Sequence, residues 1–182
     1  MLTVHTATMN TLQELDLELL SRLFRQGERR MVRPVARALS RSGDGYLHLL
    51  VPALLWFLGA SEIDQLVLLL GLSLAIERTV YWSLKNSLKR QRPQDAVPGF
   101  RSLITASDQF SFPSGHSSAA FLLATSLTLV YGGPVTAMYL WASGVALSRV
   151  ILGVHFPGDT LAGGLIGVST ALFSTLVLGL LL

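Results

Sequence analysis

Apolar residues in this chain run in long uninterrupted blocks, with no strand-like alternation of apolar and polar positions. Five such segments cover approximately 46–60, 63–88, 116–131, 134–152 and 160–182. Several fall short of the roughly 20 residues a bilayer crossing needs, so the flanking turns must contribute. Two connections are very tight, Ser61-Glu62 and Gly132-Gly133, and predict helical hairpins. The one long polar connection spans 89–113, and the last two segments are separated by 153–159. No internal repeat or low-complexity region breaks the pattern. It predicts an all-α fold, a multi-pass membrane bundle of about five transmembrane helices over residues 46–182.

Ahead of the bundle the pattern changes. From Thr11 to Gln26, apolar residues recur at Leu12, Leu15, Leu19 and Leu23, on one helical face, and Thr11 with Glu14 fits a capping box. A second helical stretch follows around Pro34, which suits a first turn. Arg29, Arg33, Arg37 and Arg41 are four apart and form a cationic stripe. Such a helix lies in the membrane interface, with its arginines among phosphates and Val32, Val35 and Leu39 toward the acyl chains. The alternative is a solvated charged face packed on the rest of the protein. Ser42-Gly43-Asp44-Gly45 reads as a turn that closes an N-terminal unit of residues 1–45. The opening residues are polar and lack a basic-then-apolar order, so no cleavable signal peptide is expected.

Composition agrees with a lipid-facing surface. The chain has 182 residues, enough for one domain; 51% are hydrophobic and 14% charged, against about 25% charged in soluble domains. Without cysteine, neither a disulfide nor a thiolate metal site is available. The formal charge of +3 lies beside apolar segments, where anionic lipid headgroups are a better partner than nucleic acid.

Counting crossings brings three polar clusters to one membrane face. The first is Lys85 and, seven residues on, Arg92-Pro93; on a continuous helix these cations share a face about 10 Å apart. The second is Pro113-Ser114-Gly115-His116 at the start of an apolar segment. There, free backbone N–H groups, a hydroxyl and the helix dipole suit an anion, and His116 exchanges protons near neutral pH. The third is Ser148-Arg149, then His155, then Asp159. A carboxylate beside an imidazole fixes its tautomer and stabilises its cation, which activates a histidine as nucleophile or base. Each cluster alone also fits a bland reading: juxtamembrane cations, a capped helix start, a helix C-terminal cation followed by a turn.

In order, and at these spacings, the three clusters resemble the signature of the PAP2 (type 2 phosphatidic acid phosphatase) superfamily. The chain reads KNSLKRQRP, PSGH and SRVILGVHFPGD, and matches every signature position over about residues 81–182. The resemblance implies a metal-independent lipid phosphatase without a cofactor. It implies that His155 attacks phosphorus to form a phosphohistidine while Asp159 orients it. His116 then protonates the leaving oxygen and afterwards activates water. Lys85, Arg92 and Arg149 clamp the phosphoryl oxygens, assisted by the Ser114 hydroxyl and the Gly115 N–H. Phosphoryl transfer is served by positioning and by charge on the equatorial oxygens, and three cations fit that need.

His116, His155 and Asp159 are also a legitimate metal-ligand set, but three neighbouring cations repel a divalent ion and attract phosphate. Glu77 and Arg78 lie inside a predicted span, where ionisable groups are usually paired. They are read as forming a structural ion pair with another helix, with the alternative that Arg78 extends the cationic path from Lys85. The family resemblance implies a phosphorylated lipid as partner: phosphatidic acid, phosphatidylglycerol phosphate, an isoprenyl diphosphate or a lipid A phosphate. Phe100, Phe110 and Phe112 in the long loop either contact that lipid or anchor the loop at the interface. Other chemistries on the same motif are lipid phosphotransfer and vanadium-dependent haloperoxidation.

Sidedness pulls two ways. Many bacterial members of the family have six spans and a site facing away from the cytoplasm, whereas here the amphipathic helices stand in place of a first span. Of the 14 lysines and arginines, all but Arg78 fall on the site's face. The positive-inside rule therefore places the site on the cytoplasmic side of a bacterial inner membrane.

Overall fold

A computed structural model describes the backbone of residues 2–180 and the side chains from Thr11 onward. The described residues form helices and no strand. They are α1 (Leu2–Gly27), α2 (Val32–Ser42), α3 (Leu47–Phe57), α4 (Ile63–Leu88), the short α5 (Pro93–Ala96), α6 (Gly115–Tyr131), α7 (Met138–Ile151) and α8 (Pro157–Val177). A 3-10 turn over Gly133–Ala137 leads into α7. The helices coincide with the apolar segments, and the tight connections close the α3–α4 and α6–α7 hairpins. The last two residues of the final segment, 181–182, lie outside the described residues.

α6 is the centre of the bundle, and α8 lies directly against it. A Cβ on Gly163 would stand 2.4 Å from the Ser114 carbonyl, and one on Gly167 2.2 Å from the Ser118 carbonyl. Small residues let these two backbones touch, the usual basis of close helix contact in apolar surroundings. α4 packs over both helices, with Leu66 and Leu70 buried against Leu122, Leu123 and Leu127 of α6. On the other flank, Ala120 and Ala124 meet Ala142 and Val145 of α7.

The outer surface is apolar: Leu49, Leu54, Trp56, Phe57, Leu68, Leu140, Leu161 and Leu165 are all exposed. Contiguous exposure on this scale marks a membrane or partner surface. Among the described residues only α8 is, by length and composition, long and apolar enough to cross a membrane, and α3 is apolar but has 11 residues. α4 is long, at 26 residues, but carries Glu77, Arg78 and Lys85 in its second half.

The N-terminal unit departs from expectation in two ways. α1 begins at Leu2, so Thr11 lies inside the helix and not at its start; no Gly or Pro between Leu2 and Thr11 stops the helix from extending. Its protein-facing side carries Leu20, buried with Val150 and Phe156 and flanked by Leu17 and Leu23. Leu12, Leu15 and Leu19 point outward. Only Leu23 of the expected leucine face therefore turns into the protein. α2 is packed rather than free: Ala36 and Ser40 are buried, and Leu39 covers Gly144 of α7. Val35 remains exposed, and Arg29 precedes the helix.

Candidate active site

At the end of the bundle where α4 stops and α6 and α8 begin, a cavity of about 1140 Å³ opens between α2, α4, α6, α7 and the long loop. Arg92, Gly115, His116, Arg149 and His155 line it. Lys85, Ser114 and Asp159 are buried in the layer behind that wall. The structure thus gathers all eight sequence-derived residues into one neighbourhood, five on the surface of the cavity and three supporting it.

His155 is aimed by the way α7 ends. Gly153 takes φ +76°, Val154 N–H bonds to the Arg149 carbonyl (3.1 Å) and Gly153 N–H to that of Val150 (2.9 Å). This is a Schellman stop, which needs a residue free to adopt a left-handed conformation. The His155 ring is buried, and its Nδ1 lies 3.6 Å from Asp159 Oδ2 with no other partner. That distance exceeds a hydrogen bond, although such contacts often tighten only when substrate arrives. Burial, the largest influence, and the charges of Arg92 and Arg149 lower the pKa of His155 to about 4, against the pull of Asp159. The ring is therefore neutral and nucleophilic at physiological pH.

Asp159 sits in the first turn of α8, where a carboxylate is favoured. Its Oδ2 accepts from the Phe156 backbone N–H (2.9 Å) and its Oδ1 from Arg90 Nη1 (2.6 Å). Arg90 also reaches Asp16 of α1 (2.6 Å), stacks over the Phe156 ring (4.2 Å), and Asp16 accepts the Gly158 N–H (2.7 Å). The N-terminal helix is thereby tied to the turn that carries His155 and Asp159.

Lys85 and Arg92 do not project from one helix face. α4 ends at Leu88, Lys89 reverses the chain at φ 46°, and Arg92 is extended ahead of Pro93; the residue before a proline avoids helical geometry. Both cations nonetheless converge on one carboxylate, Asp108 of the long loop. Lys85 Nζ donates to Asp108 Oδ2 (2.7 Å) and to the Tyr81 hydroxyl (2.6 Å), which itself donates to Asp108 (2.8 Å). Arg92 pairs with Asp108 through Nη2, and its Nη1 holds the Val154 carbonyl next to His155 (2.5 Å). Burial opposes ionisation of Asp108, but hydrogen bonds from Lys85, Tyr81 and Arg92 outweigh it and hold its pKa at about 2.

The third cation, Arg149, is buried at the end of α7. Its Nη1 donates to Ser40 of α2 (2.6 Å), and its Nε has no partner. Ser114 caps α6: its hydroxyl accepts from Ser117 Oγ (3.0 Å), and its backbone N–H reaches the Asp159 carbonyl (3.0 Å). A side chain at Gly115 would crowd the Tyr81 ring, 3.0 Å from the position of its Cβ. His116 Nε2 is 2.8 Å from Asp44. Glu77 and Arg78 pair with each other (2.5 and 2.6 Å) rather than with separate helices. Glu77 also accepts from Ser118 of α6 (2.6 Å), and Arg78 lies over the Tyr81 ring in the cavity wall. Phe100 turns inward onto Phe24 of α1, ring centroids 4.5 Å apart. Among the described residues, no three His, Asp or Glu side chains converge as metal ligands do.

Sequence reasoning missed Asp16, Asp44, Tyr81, Arg90 and Asp108. Asp44 was legible only as part of a turn, and Arg90 only as one more juxtamembrane cation.

Solved structures share this architecture. Aquifex aeolicus LpxE superposes with a TM-score of 0.74 at 26% identity, covering 88% of this chain and 94% of that one. A transmembrane PAP2 type phosphatidylglycerolphosphate phosphatase from Bacillus subtilis has the same fold, with a TM-score of 0.73 at 22% identity over 95% and 89% of the two chains. The putative undecaprenyl-diphosphatase YbjG of Escherichia coli is 31% identical over 131 residues, 70% of this chain and 65% of that protein. A decaprenylphosphoryl-5-phosphoribose phosphatase of Mycobacterium tuberculosis is 28% identical over 134 residues, 74% and 73% of the two. The family model for the PAP2 superfamily matches residues 66–180, the stretch that holds Lys85, Arg92, the Ser114–His116 turn, Arg149, His155 and Asp159, and the chain belongs to that superfamily.

Proposed function

We propose that this chain is an integral membrane phosphatase that removes phosphate from a phosphorylated lipid through a phosphohistidine at His155. The observation that carries this is a buried neutral His155 in the wall of a cationic cavity, with Nδ1 turned to Asp159 and Nε2 left for attack. In the first step the Nε2–phosphorus bond forms, the bond from phosphorus to the leaving oxygen breaks, and His116 gives that oxygen a proton. In the second, water attacks phosphorus, the phosphorus–nitrogen bond breaks, and His116 takes the proton from water. Arg92 and Arg149, with Lys85 behind them, offset the charge on the phosphoryl oxygens.

The substrate class is a lipid phosphate or diphosphate: phosphatidic acid, phosphatidylglycerol phosphate or an isoprenyl diphosphate. Arg37, Arg41 and Arg78 also line the cavity, which favours a head group with a second anionic group beyond the one His155 attacks. We read α3, α4, α6, α7 and α8, with their flanking turns, as five crossings, a reading supported by the exposed apolar side chains on all of them but the central α6. The basic N-terminal unit supports a site on the cytoplasmic face; a reporter fused after Leu182 is then expected on the opposite side, and a cytoplasmic signal reverses the orientation.

Phosphate release by the purified protein tests the function across a panel of the lipids named above, with and without chelator. Chelator-resistant release that is abolished by His155→Ala is expected. Undiminished release by that variant, or strict dependence on added metal, contradicts the proposal.

A further inference from the structure

His116 is not alone in the cavity wall. Its Nε2 lies 2.8 Å from Asp44 Oδ1, a carboxylate 72 residues earlier in the chain, in the turn between α2 and α3. This turn lies outside residues 66–180, the part of the chain matched by the family model. Both side chains line the cavity.

The turn is built to stay where it is. Gly43 is pressed onto α7: a Cβ there would stand 2.6 Å from a Val145 methyl and 3.5 Å from Cδ2 of the His116 ring. Asp44 N–H bonds to the Arg41 carbonyl (3.1 Å), closing the turn on the end of α2. Just beyond it, the buried His48 ring bridges the turn to α6: Nδ1 is 3.1 Å from the Gly45 carbonyl and Nε2 3.1 Å from that of Ala119. Ala119 follows His116 by three residues, nearly one helical turn. Asp44 is half-exposed, but the backbone that carries it is fixed to the two helices that frame His116.

The electrostatics of the site call for such a partner. His116 is in the first turn of α6, where the helix dipole opposes a cation, and Arg92 and Arg149 share its cavity wall. An imidazolium there needs an anion in contact. We infer that Asp44 is a positioning residue for His116, holding its Nε2 proton so that Nδ1 delivers a proton to the leaving oxygen and then takes one from water. In the first step the Nδ1–H proton passes to the leaving oxygen, and the ring becomes neutral with its remaining proton on Nε2, bonded to Asp44. In the second, Nδ1 accepts a proton from the attacking water and Asp44 stabilises the cation that forms. The site then contains two histidine–aspartate pairs, Asp159 with the nucleophile and Asp44 with the acid–base. This inference rests on the acid–base role proposed for His116.

Leaving-group dependence separates a positioning role from a structural one. A lipid alkoxide needs a proton to depart, whereas p-nitrophenolate does not. Rapid-quench release of the leaving group in the first turnover, from dioctanoyl phosphatidic acid and from p-nitrophenyl phosphate, is compared for the parent protein, Asp44→Asn, Asp44→Glu and His116→Asn. General acid catalysis contributes about 10²–10⁴-fold. Asp44→Asn is therefore expected to slow release from the lipid by roughly 10–100-fold, a part of that contribution, and p-nitrophenol release by less than about threefold. Asp44→Glu restores part of the loss, and the Asp44→Asn/His116→Asn double variant is no slower than His116→Asn. Equal loss on both substrates, or none on either, in Asp44→Asn overturns the inference. If His116→Asn is selective for the lipid and Asp44→Asn is not, the Asp44 inference alone falls. If His116→Asn shows no selectivity, the acid role of His116 falls and takes the inference with it.

Discussion

Arg90 Nη1 holds Asp159 Oδ1 at 2.6 Å, on the oxygen of the carboxylate that does not face His155. The other oxygen, Oδ2, looks across 3.6 Å to the His155 ring. Arg90 thus holds the carboxylate that faces the proposed nucleophile, and Asp16 of α1 holds Arg90 in turn. A hydrogen bond to a charged group contributes about 1.5–3 kcal/mol, so Arg90→Ala is expected to lower kcat roughly 10–100-fold with little change in KM. Arg90→Lys recovers part of this. A double-mutant cycle with Asp16→Ala is non-additive, because both residues act through one carboxylate. Independent, additive effects on kcat/KM contradict the relay.

The acid limb of kcat/KM follows from the burial of His155. Attack requires the neutral ring, so activity is lost as pH falls through the pKa of this group in the free enzyme. With that pKa lowered to about 4, the limb is expected near pH 4, far below the ordinary histidine value of about 6.5. A limb between pH 6 and 7 contradicts the burial of a neutral nucleophile.

Asp108 occupies Lys85 and Arg92, two cations to which we assign the phosphoryl oxygens. Asp108→Asn keeps an acceptor for Lys85 and Tyr81 but removes the negative charge beside the phosphoryl position. Inorganic phosphate is then expected to inhibit more strongly, its Ki falling about tenfold, or ~1.4 kcal/mol. An unchanged or higher Ki shows that Asp108 serves the site by holding the cations in place rather than by competing with phosphate.

Much of this site was legible before any coordinates. The order and spacing of Lys85, Arg92, Ser114, Gly115, His116, Arg149, His155 and Asp159 single these residues out, the structure brings them to one cavity, and the lengths of the apolar blocks locate the helices. What escaped were the carboxylates that hold these residues. Asp44, Asp16 and Asp108 bond to partners separated by 72, 74 and 23 residues respectively, through turns whose path no local pattern fixes. The shared face inferred for Lys85 and Arg92 failed because Lys89 takes a left-handed conformation that no glycine announces. The extent of α1 was missed because a capping signal at Thr11 does not by itself stop a helix that no breaker precedes.

Arg37 and Arg41 are one turn apart on α2 and flank Ser40, the residue that holds Arg149. In the proposed reading, a second anionic group beside the phosphoryl centre meets this pair, which lines the cavity. The double variant Arg37→Gln/Arg41→Gln is expected to lower kcat/KM for an isoprenyl diphosphate by about tenfold and to leave the matching monophosphate within about twofold. Equal losses on both remove these arginines from head-group selection.

The phosphohistidine itself is the most direct test of the account. Protein mixed with a lipid substrate carrying ³²P at the attacked phosphoryl group, quenched in alkali within milliseconds, is digested and its labelled peptide mapped. An acid-labile, alkali-stable label on the peptide containing His155, lost in His155→Ala, is predicted. A label on any other residue, or full turnover by His155→Ala, contradicts it.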